Sequence, residues 1–478
     1  MNTLPTGQGI LREDFIMITL RRIAPAPPSD KDALSWVRES LFGRLYLKYL
    51  ERFRTLRPIV QWLWRKGYPI YAKYSPLRLL RAKVLTLVKL SVQAARSPEG
   101  VWRLAKAETV ETPHPAVFPA KDQDYLTAPH DRYVFPDIFV TTVRDAVVTG
   151  ETNLILTGEE ALCHDLYDFP RDYTSEELHG RTVINLKTSC VRWLVNDASP
   201  ESVPVAAAFV DACALNYAHW MTEVLPRICL FCSEDRFRDV PIVVNDGLHQ
   251  NLMASLFVVT APGRTIITLP AGRALRVERL FVVSPTGYVP FERRTNKLSG
   301  HSHGVFSPHA FRVLRERVKA WMPEAEEGSS SPQNIYLRRN SGIRKVINGS
   351  EIERLLAERG FAVVEPEHLT FAQQVKLFAN ADMVVGGSGA ALANLVFCPP
   401  DTLIVVLISK FPDIPYWYWQ NIACANGNAV SYVLGRIAKD GYSGIHSNYS
   451  VDTVDLLSAI ETGGSNGKQN PSDSIHRP

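Results

Sequence analysis

A chain of 478 residues, 46% apolar and 21% charged, is long enough to bury two or three cores and is excluded from the disordered and fibrous classes. Seven cysteines without short regular spacing exclude a disulfide-stapled miniature and a zinc-finger array, and point to a reducing compartment. The formal net charge of +4 is unevenly spread, because residues 31–106 hold 17 Lys and Arg against 4 Asp and Glu, leaving the rest of the chain acidic.

Residues 1–30 end in Pro25-Ala26-Pro27-Pro28 and read as a mobile leader without the apolar core and cleavage site of a secretory signal. No window reaches the ~18–20 uncharged apolar residues of a spanning helix, so the expectation is a soluble cytoplasmic protein. The basic region 31–106 is helical in tone, with Arg and Lys interleaved among Leu, Trp and Tyr. That pattern fits helices lying on an anionic membrane surface, and equally an amphipathic helical subdomain with a wet cationic face. Nucleic acid is the weaker partner, since no recognised module accompanies the charge. Residues 107–200 carry short β-like runs at 138–142, 146–148 and 153–156 with turns at Gly150 and Gly158, which predicts a β-rich subdomain. His164 and Asp165 read there as surface loop residues.

Residues 201–322 predict an N-terminal α/β lobe. An apolar strand at 205–210 runs through Asp211 toward a helix over 216–231, on which Asn216, His219, Glu223 and Arg227 share one face while Trp220, Val224, Leu225 and Ile228 offer another for burial. Pro226 kinks that helix or marks its boundary. The second His of a His-Glu-x-x-His zinc site is missing. Strands at 242–244, 265–269 and 279–283, with a helix over 248–258, complete the alternation. The polar stretch 286–304 holds His301 and His303, a pair without carboxylates to complete a metal site.

A linker at 323–332 leads into a C-terminal lobe, 333–461, and residues 462–478 read as a disordered tail. Between 334 and 409 the apolar period switches repeatedly between two and 3.6, the mark of a parallel α/β sheet. A strand at 335–337 opens into a loop bearing Arg338, Arg339, Arg344 and Lys345. Ser350 with Glu353 predicts a capping box for a helix over 351–359, stopped by Gly360, and Thr370 with Gln373 predicts a second. The strand at 383–385 runs into Gly386-Gly387-Ser388-Gly389 and a helical stretch over 390–397, and 402–408 is a central strand. The aromatic run at 411–419 packs a last helix across the first lobe or stacks on a base or sugar. A glycine turn before a helix, beside arginines at strand ends, favours a diphosphate-bearing ligand. A competing reading takes Gly386-x-Ser388-x-Ala390 as the elbow of an esterase whose triad continues through Asp401 or Asp413 to His446. The arginines weigh against it, since acyl transfer does not need them.

The C-terminal segment together with Asn216-Tyr217-x-His219-Trp220-x-x-Glu223-x-Leu225-Pro226-Arg227 resembles the family 61 glycosyltransferases, over roughly residues 130–435. That group contains bacterial polysaccharide-synthesis proteins and eukaryotic sugar transferases, and the bacterial capsular type is the expectation here. The resemblance implies a GT-B-like fold of two Rossmann-like lobes and inverting transfer from a nucleotide sugar, as co-substrate, to a glycan or lipid-linked glycan. The base would be His219 oriented by Glu223, or Glu223 or Asp211 in its place. Arg338, Arg339, Arg344, Gly387, Ser388, Gly389, Ala390 and Asn394 would hold the diphosphate, and Glu365 or Glu367 the ribose or sugar hydroxyls. Asn216, Trp220 and Arg227 would support the acceptor or the helix. No metal or other cofactor is expected, as no Asp-x-Asp stands in a suitable loop. Many family members carry His where Ser388 stands, so an imidazole role does not transfer to it. A non-catalytic sugar-nucleotide or glycan-binding scaffold is the remaining alternative.

Overall fold

The computed structural model describes residues 19–24, 82–126, 131–195, 197, 199–290, 292–294, 304–322, 331–412, 414, 416–438 and 444–466. His301, His303, Asp413, most of the leader, the basic stretch 31–81, the linker at 323–330 and the end of the tail lie outside them. The described chain is mixed α/β, built on a twelve-stranded and a seven-stranded sheet.

Half of the large sheet is a parallel run in the order Thr19–Arg22, Thr265–Leu269, Ile242–Asn245, Glu201–Ala208, Ala274–Val283. Strands such as Ile242–Asn245 are buried on both faces, which is why they are nearly continuous in Val and Ile. Counted from Glu201–Ala208, the last four run 3-2-1-4, so the order reverses between Glu201–Ala208 and Ala274–Val283. The other half is mostly antiparallel and starts with the twelve-residue strand Ile138–Thr149 against Ala274–Val283. The β-like segment 107–200 thus contributes strands to the same sheet as the lobe that follows it.

The smaller sheet carries a parallel run Ala362–Val364, Asn334–Leu337, Met383–Gly387, Leu403–Ser409, Ala429–Ile437. In chain order this is 2-1-3-4-5, and its reversal falls between Asn334–Leu337 and Met383–Gly387. Ala116–Phe118 also joins this sheet, beside Ala429–Ile437, far from its sequence neighbours. The aromatic run closes the gap between the sheets: Tyr416 to Trp419 are buried, Asn421 donates to the Gly304 carbonyl at 2.6 Å, and Tyr418 meets Phe306.

Three expectations are corrected. Residues 83–105 are not helical throughout: Lys83–Lys89 and Val101–Ala105 are strands around the short helix Leu90–Arg96. Leu85 and Val88, three positions apart, point to opposite faces of that first strand and enter different cores. The Ser350/Glu353 box does not form. Gly349–Ala357 starts from Asn348, and Glu353 is drawn away by Arg338, whereas the Thr370/Gln373 box is present with both hydrogen bonds. Residues 462–466 continue the helix Thr453–Asn466 rather than a disordered tail.

Candidate functional site

In an open parallel sheet the helices leave by opposite faces on either side of the strand-order reversal, and the crevice so opened beyond the carboxyl ends is where ligands sit. Each sheet has a cavity there. Beyond Leu337 and Gly387 lies one of about 480 Å³, lined by Arg338, Arg339, Asn340, Gly387, Gly389 and Ala390 from the small sheet and by Leu215, Tyr217, His249 and Asn251 from the large one. Arg339 is half-buried, and its Nε donates to the Ile343 carbonyl at 3.2 Å. A Cβ on Gly389 would stand 2.0 Å from Arg339 Nη1, so glycine is required for the guanidinium to lie across the turn. The backbone of Gly389 is extended, and space alone demands it.

Arg344 stands near Arg339 in a left-handed conformation, φ 58°, in a loop tied to the strand Tyr449–Ser450 through Lys345 and Ile347. Burial, then repulsion from Arg339, pulls the Arg344 guanidinium down to about 10. Burial also lowers Arg339. Among the described residues neither arginine forms an ion pair; Arg339 lines the cavity, as does Glu367, and Arg344 lies near Arg339 without lining it, so the wall carries a cation with no direct carboxylate partner. Such a wall is complementary to a phosphate or diphosphate.

The other arginine is different. Arg338 binds Glu353 through Nε at 2.7 Å and Glu365 through Nη1 at 2.8 Å, and these bonds hold it strongly protonated. Glu365 also pairs with His368 at 3.0 Å. Arg338 and Glu365, expected to bind donor, therefore satisfy each other, and Glu367 lines the cavity instead.

At the reversal of the large sheet, the chain leaves Glu201–Ala208 through Asp211 and enters a helix capped by Asn216, whose Oδ1 accepts from Ala218 N at 2.9 Å. Pro226 cannot donate to the Thr222 carbonyl, and the helix accommodates this by a π turn, Trp220–Val224, in which Leu225 N bonds to Trp220 O. His219 and Glu223 remain on one face, Nδ1 to Oε1 at 2.5 Å. The second oxygen of Glu223 accepts from Val289 N at 3.2 Å, beside Gly287, where a Cβ would meet the Thr222 carbonyl at 2.6 Å. Burial disfavours charge on the His219 ring, but Glu223 and Asp211 outweigh it and raise its proton affinity.

Asp211 is held by Cys213 N at 2.8 Å and by Asn153 at 3.4 Å; its main chain is clamped at both ends by the Asn245 amide. Asn153 and Glu176 in turn accept from the Tyr167 hydroxyl. Arg227 lines the same small cavity as His219, Glu223 and Asp211, and burial lowers its proton affinity. His164 is corrected from a surface residue: it stacks on Tyr167 with centroids 3.8 Å apart, and burial pushes its proton affinity far down.

Two further residues point elsewhere than expected. Ser388 is 3% exposed, its Oγ accepts from Trp419 at 3.0 Å and its N–H is spent on Leu407 O at 2.9 Å. A nucleophile elbow needs an exposed hydroxyl, so the esterase reading fails. Asn394 is fully buried and accepts from the Tyr217 hydroxyl at 2.6 Å while donating to Gln374 at 2.8 Å. It joins the two sheets instead of touching ligand. Trp220 is likewise buried, donating to Ser255 at 2.8 Å, and supports the helix from its core side. Sequence reasoning missed His249, Asn251, Asn340 and Gln374 in the larger cavity; His249 and Asn251 share a helix start, and no short motif marks them.

A cationic pocket at one strand-order reversal and an imidazole–carboxylate pair at the other define, on chemistry, a protein suited to moving a group off an anionic leaving group. Residues 217–405 match the family model Glycosyltransferase 61, in line with the resemblance read from the sequence. The chain is also similar to a protein O-linked-mannose beta-1,4-N-acetylglucosaminyltransferase 2 from Tetraodon nigroviridis, 27% identical over 133 residues. That similarity covers 27% of this chain and 22% of the relative.

Proposed function

We propose that the protein is an inverting glycosyltransferase that moves a sugar from a nucleoside diphosphate to a hydroxyl of a glycan or glycolipid, with the two sheets serving as the lobes of a GT-B-like enzyme. The observation that carries this reading is Arg339, half-buried in the wall of a cavity of about 480 Å³ and without an ion-pair partner among the described residues, with Arg344 near it in the same loop.

The residues divide the work of one in-line displacement. Glu223 on Nδ1 fixes the proton there and makes Nε2 of His219 the basic nitrogen. Nε2 takes the acceptor hydroxyl proton as that oxygen bonds to the anomeric carbon. The bond from that carbon to the diphosphate breaks, and its electron pair passes to the phosphate oxygen. Arg339, Arg344 and the backbone around Gly389 and Ala390 meet the charge that develops, and each such preorganised donor is worth ~3–4 kcal/mol where water is excluded. With that charge met by arginines, the reaction needs no metal.

The acceptor in this reading is a surface polysaccharide of the bacterial capsular type, and the basic stretch 31–106 holds the protein at the cytoplasmic face of the membrane. Salt-dependent sedimentation with anionic vesicles that survives deletion of residues 31–81 would remove the membrane part.

Thermal unfolding with UDP or GDP in the presence of a chelator tests the central claim. Ligand at a hundred times its Kd contributes about 2.7 kcal/mol, and this gain should vanish in Arg339→Ala. Insensitivity of the wild type to every nucleoside diphosphate would overturn the reading.

A further inference from the structure

Leu215, which lines the cationic cavity, also lines a second, open cavity of about 430 Å³ together with Glu151, His179, Arg181, Ala212, Cys213, Asn216 and His219. Resting on the transferase reading, the geometry points to this cavity as the acceptor subsite, built to take an uncharged, hydroxyl-rich saccharide, with Glu151 and Arg181 selecting it.

Its place is the first argument. His219 stands in its wall, while Leu215 lines both this cavity and the cationic one, so a hydroxyl held here lies beside the imidazole and across one side chain from the donor. Leu215 is 47% exposed, among the few large apolar side chains the fold leaves in water, and it offers a surface for the apolar face of a sugar ring at the junction.

Its chemistry is the second. Arg181 donates to both the carboxylate and the carbonyl of Glu151, so this wall carries its positive and negative charge as a closed pair. A phosphate gains nothing from a cation already matched. Planar carboxylate and guanidinium edges with spare lone pairs and N–H groups suit vicinal hydroxyls instead. Among the described residues no Phe, Tyr or Trp ring lines the cavity, which gives a lipid tail or an aryl group little platform.

Its construction is the third. Glu151 holds a left-handed φ of 57° that a non-glycine residue adopts only when its surroundings enforce it, and Arg181 is what grips it. Arg181 is itself fixed through its N–H to Glu176 O at 2.8 Å and its carbonyl to Leu194 N at 2.9 Å. His179 is anchored from the same turn by Ser175 O at 2.7 Å. Glu151, His179 and Arg181 precede the segment 217–405 that matches the family model and come from the β-rich region before residue 200.

Saturation-transfer NMR with the methyl glycosides of mannose, glucose and galactose, in the presence of UDP, tests the assignment. At least one glycoside should bind the wild type and weaken about tenfold in Arg181→Gln, the weight of one lost charge-assisted hydrogen bond. Ala212→Gln, which fills the cavity without touching the ion pair, should weaken it as well, while the thermal shift from UDP stays unchanged in both. Binding of the glycosides equally well to both variants, or to none of the three proteins, would overturn the subsite. Glycoside binding that obeys this pattern in a protein deaf to every nucleotide would instead sink the transferase reading and leave the saccharide site standing.

Discussion

The two cavities that meet at Leu215 differ in how their charges are balanced. On the small sheet, Arg339 repels Arg344, and among the described residues neither forms an ion pair, although Glu367 lines the same cavity. On the large sheet several charges are answered from within: His219 by Glu223, Glu223 by Val289 N, Asp211 by Asn153 and Cys213 N, Arg181 by Glu151. An incomplete wall must be completed by a ligand of opposite sign, whereas a closed network fixes side chains for proton transfer and for reading neutral groups. Arg338 sharpens the point, because the one loop arginine with two carboxylate partners is the one least available to bind anything.

The comparison can be broken most severely at the base. His219→Ala should lower transfer by about 10²- to 10⁴-fold, the usual worth of a positioned general base, while the thermal shift from UDP remains. Equal loss of both would show that the two cavities are one. Next in size is Gly389→Ala. Its methyl group would occupy the place of Arg339 Nη1, and the guanidinium must swing away. Nucleotide affinity measured by calorimetry should fall about tenfold, as for one lost charge-assisted contact, with unchanged stability of the apo protein. Tyr217→Phe addresses the contact between the sheets. The buried carbonyls of Gln374 and Asn394 share the one hydroxyl proton of Tyr217 and would lose it, so denaturant unfolding should show a loss of about 1–3 kcal/mol.

The smallest effect is a change in pH dependence. Glu223 holds the imidazolium form of His219 in place, and the base works only after losing that proton. Glu223→Gln removes the carboxylate, lowers the proton affinity of the ring, and should move the acid limb of kcat/KM to lower pH. A limb that stays put or moves upward would show that His219 is not the titrating base.

Much of this was legible in the sequence wherever one local rule decided the outcome. Apolar runs such as Leu403–Ser409, the Thr370/Gln373 box and the 3.6 period around Phe371, Val375 and Phe378 fixed strands and helices. The spacing of His219 and Glu223 likewise placed them on one face, even through the π turn. Partners distant in sequence were not legible. Tyr217 and Gln374 are 157 positions apart, and Glu353 satisfies Arg338 rather than its own helix start. The direction of Ser388 had a readable signal that motif logic obscured: in extended chain, residues two apart share a side, so if Gly387 and Gly389 face the cavity, Ser388 faces away.

In the transferase reading, the repulsion of Arg344 by Arg339 makes vacancy the less favourable condition of the cleft. A spent nucleoside diphosphate bears more negative charge than the sugar-loaded form, so it relieves that repulsion better than the substrate it came from. Turnover should then be paced by its departure, and added UDP or GDP should compete with fresh donor, an inhibition that weakens when Arg344 is exchanged for a neutral residue.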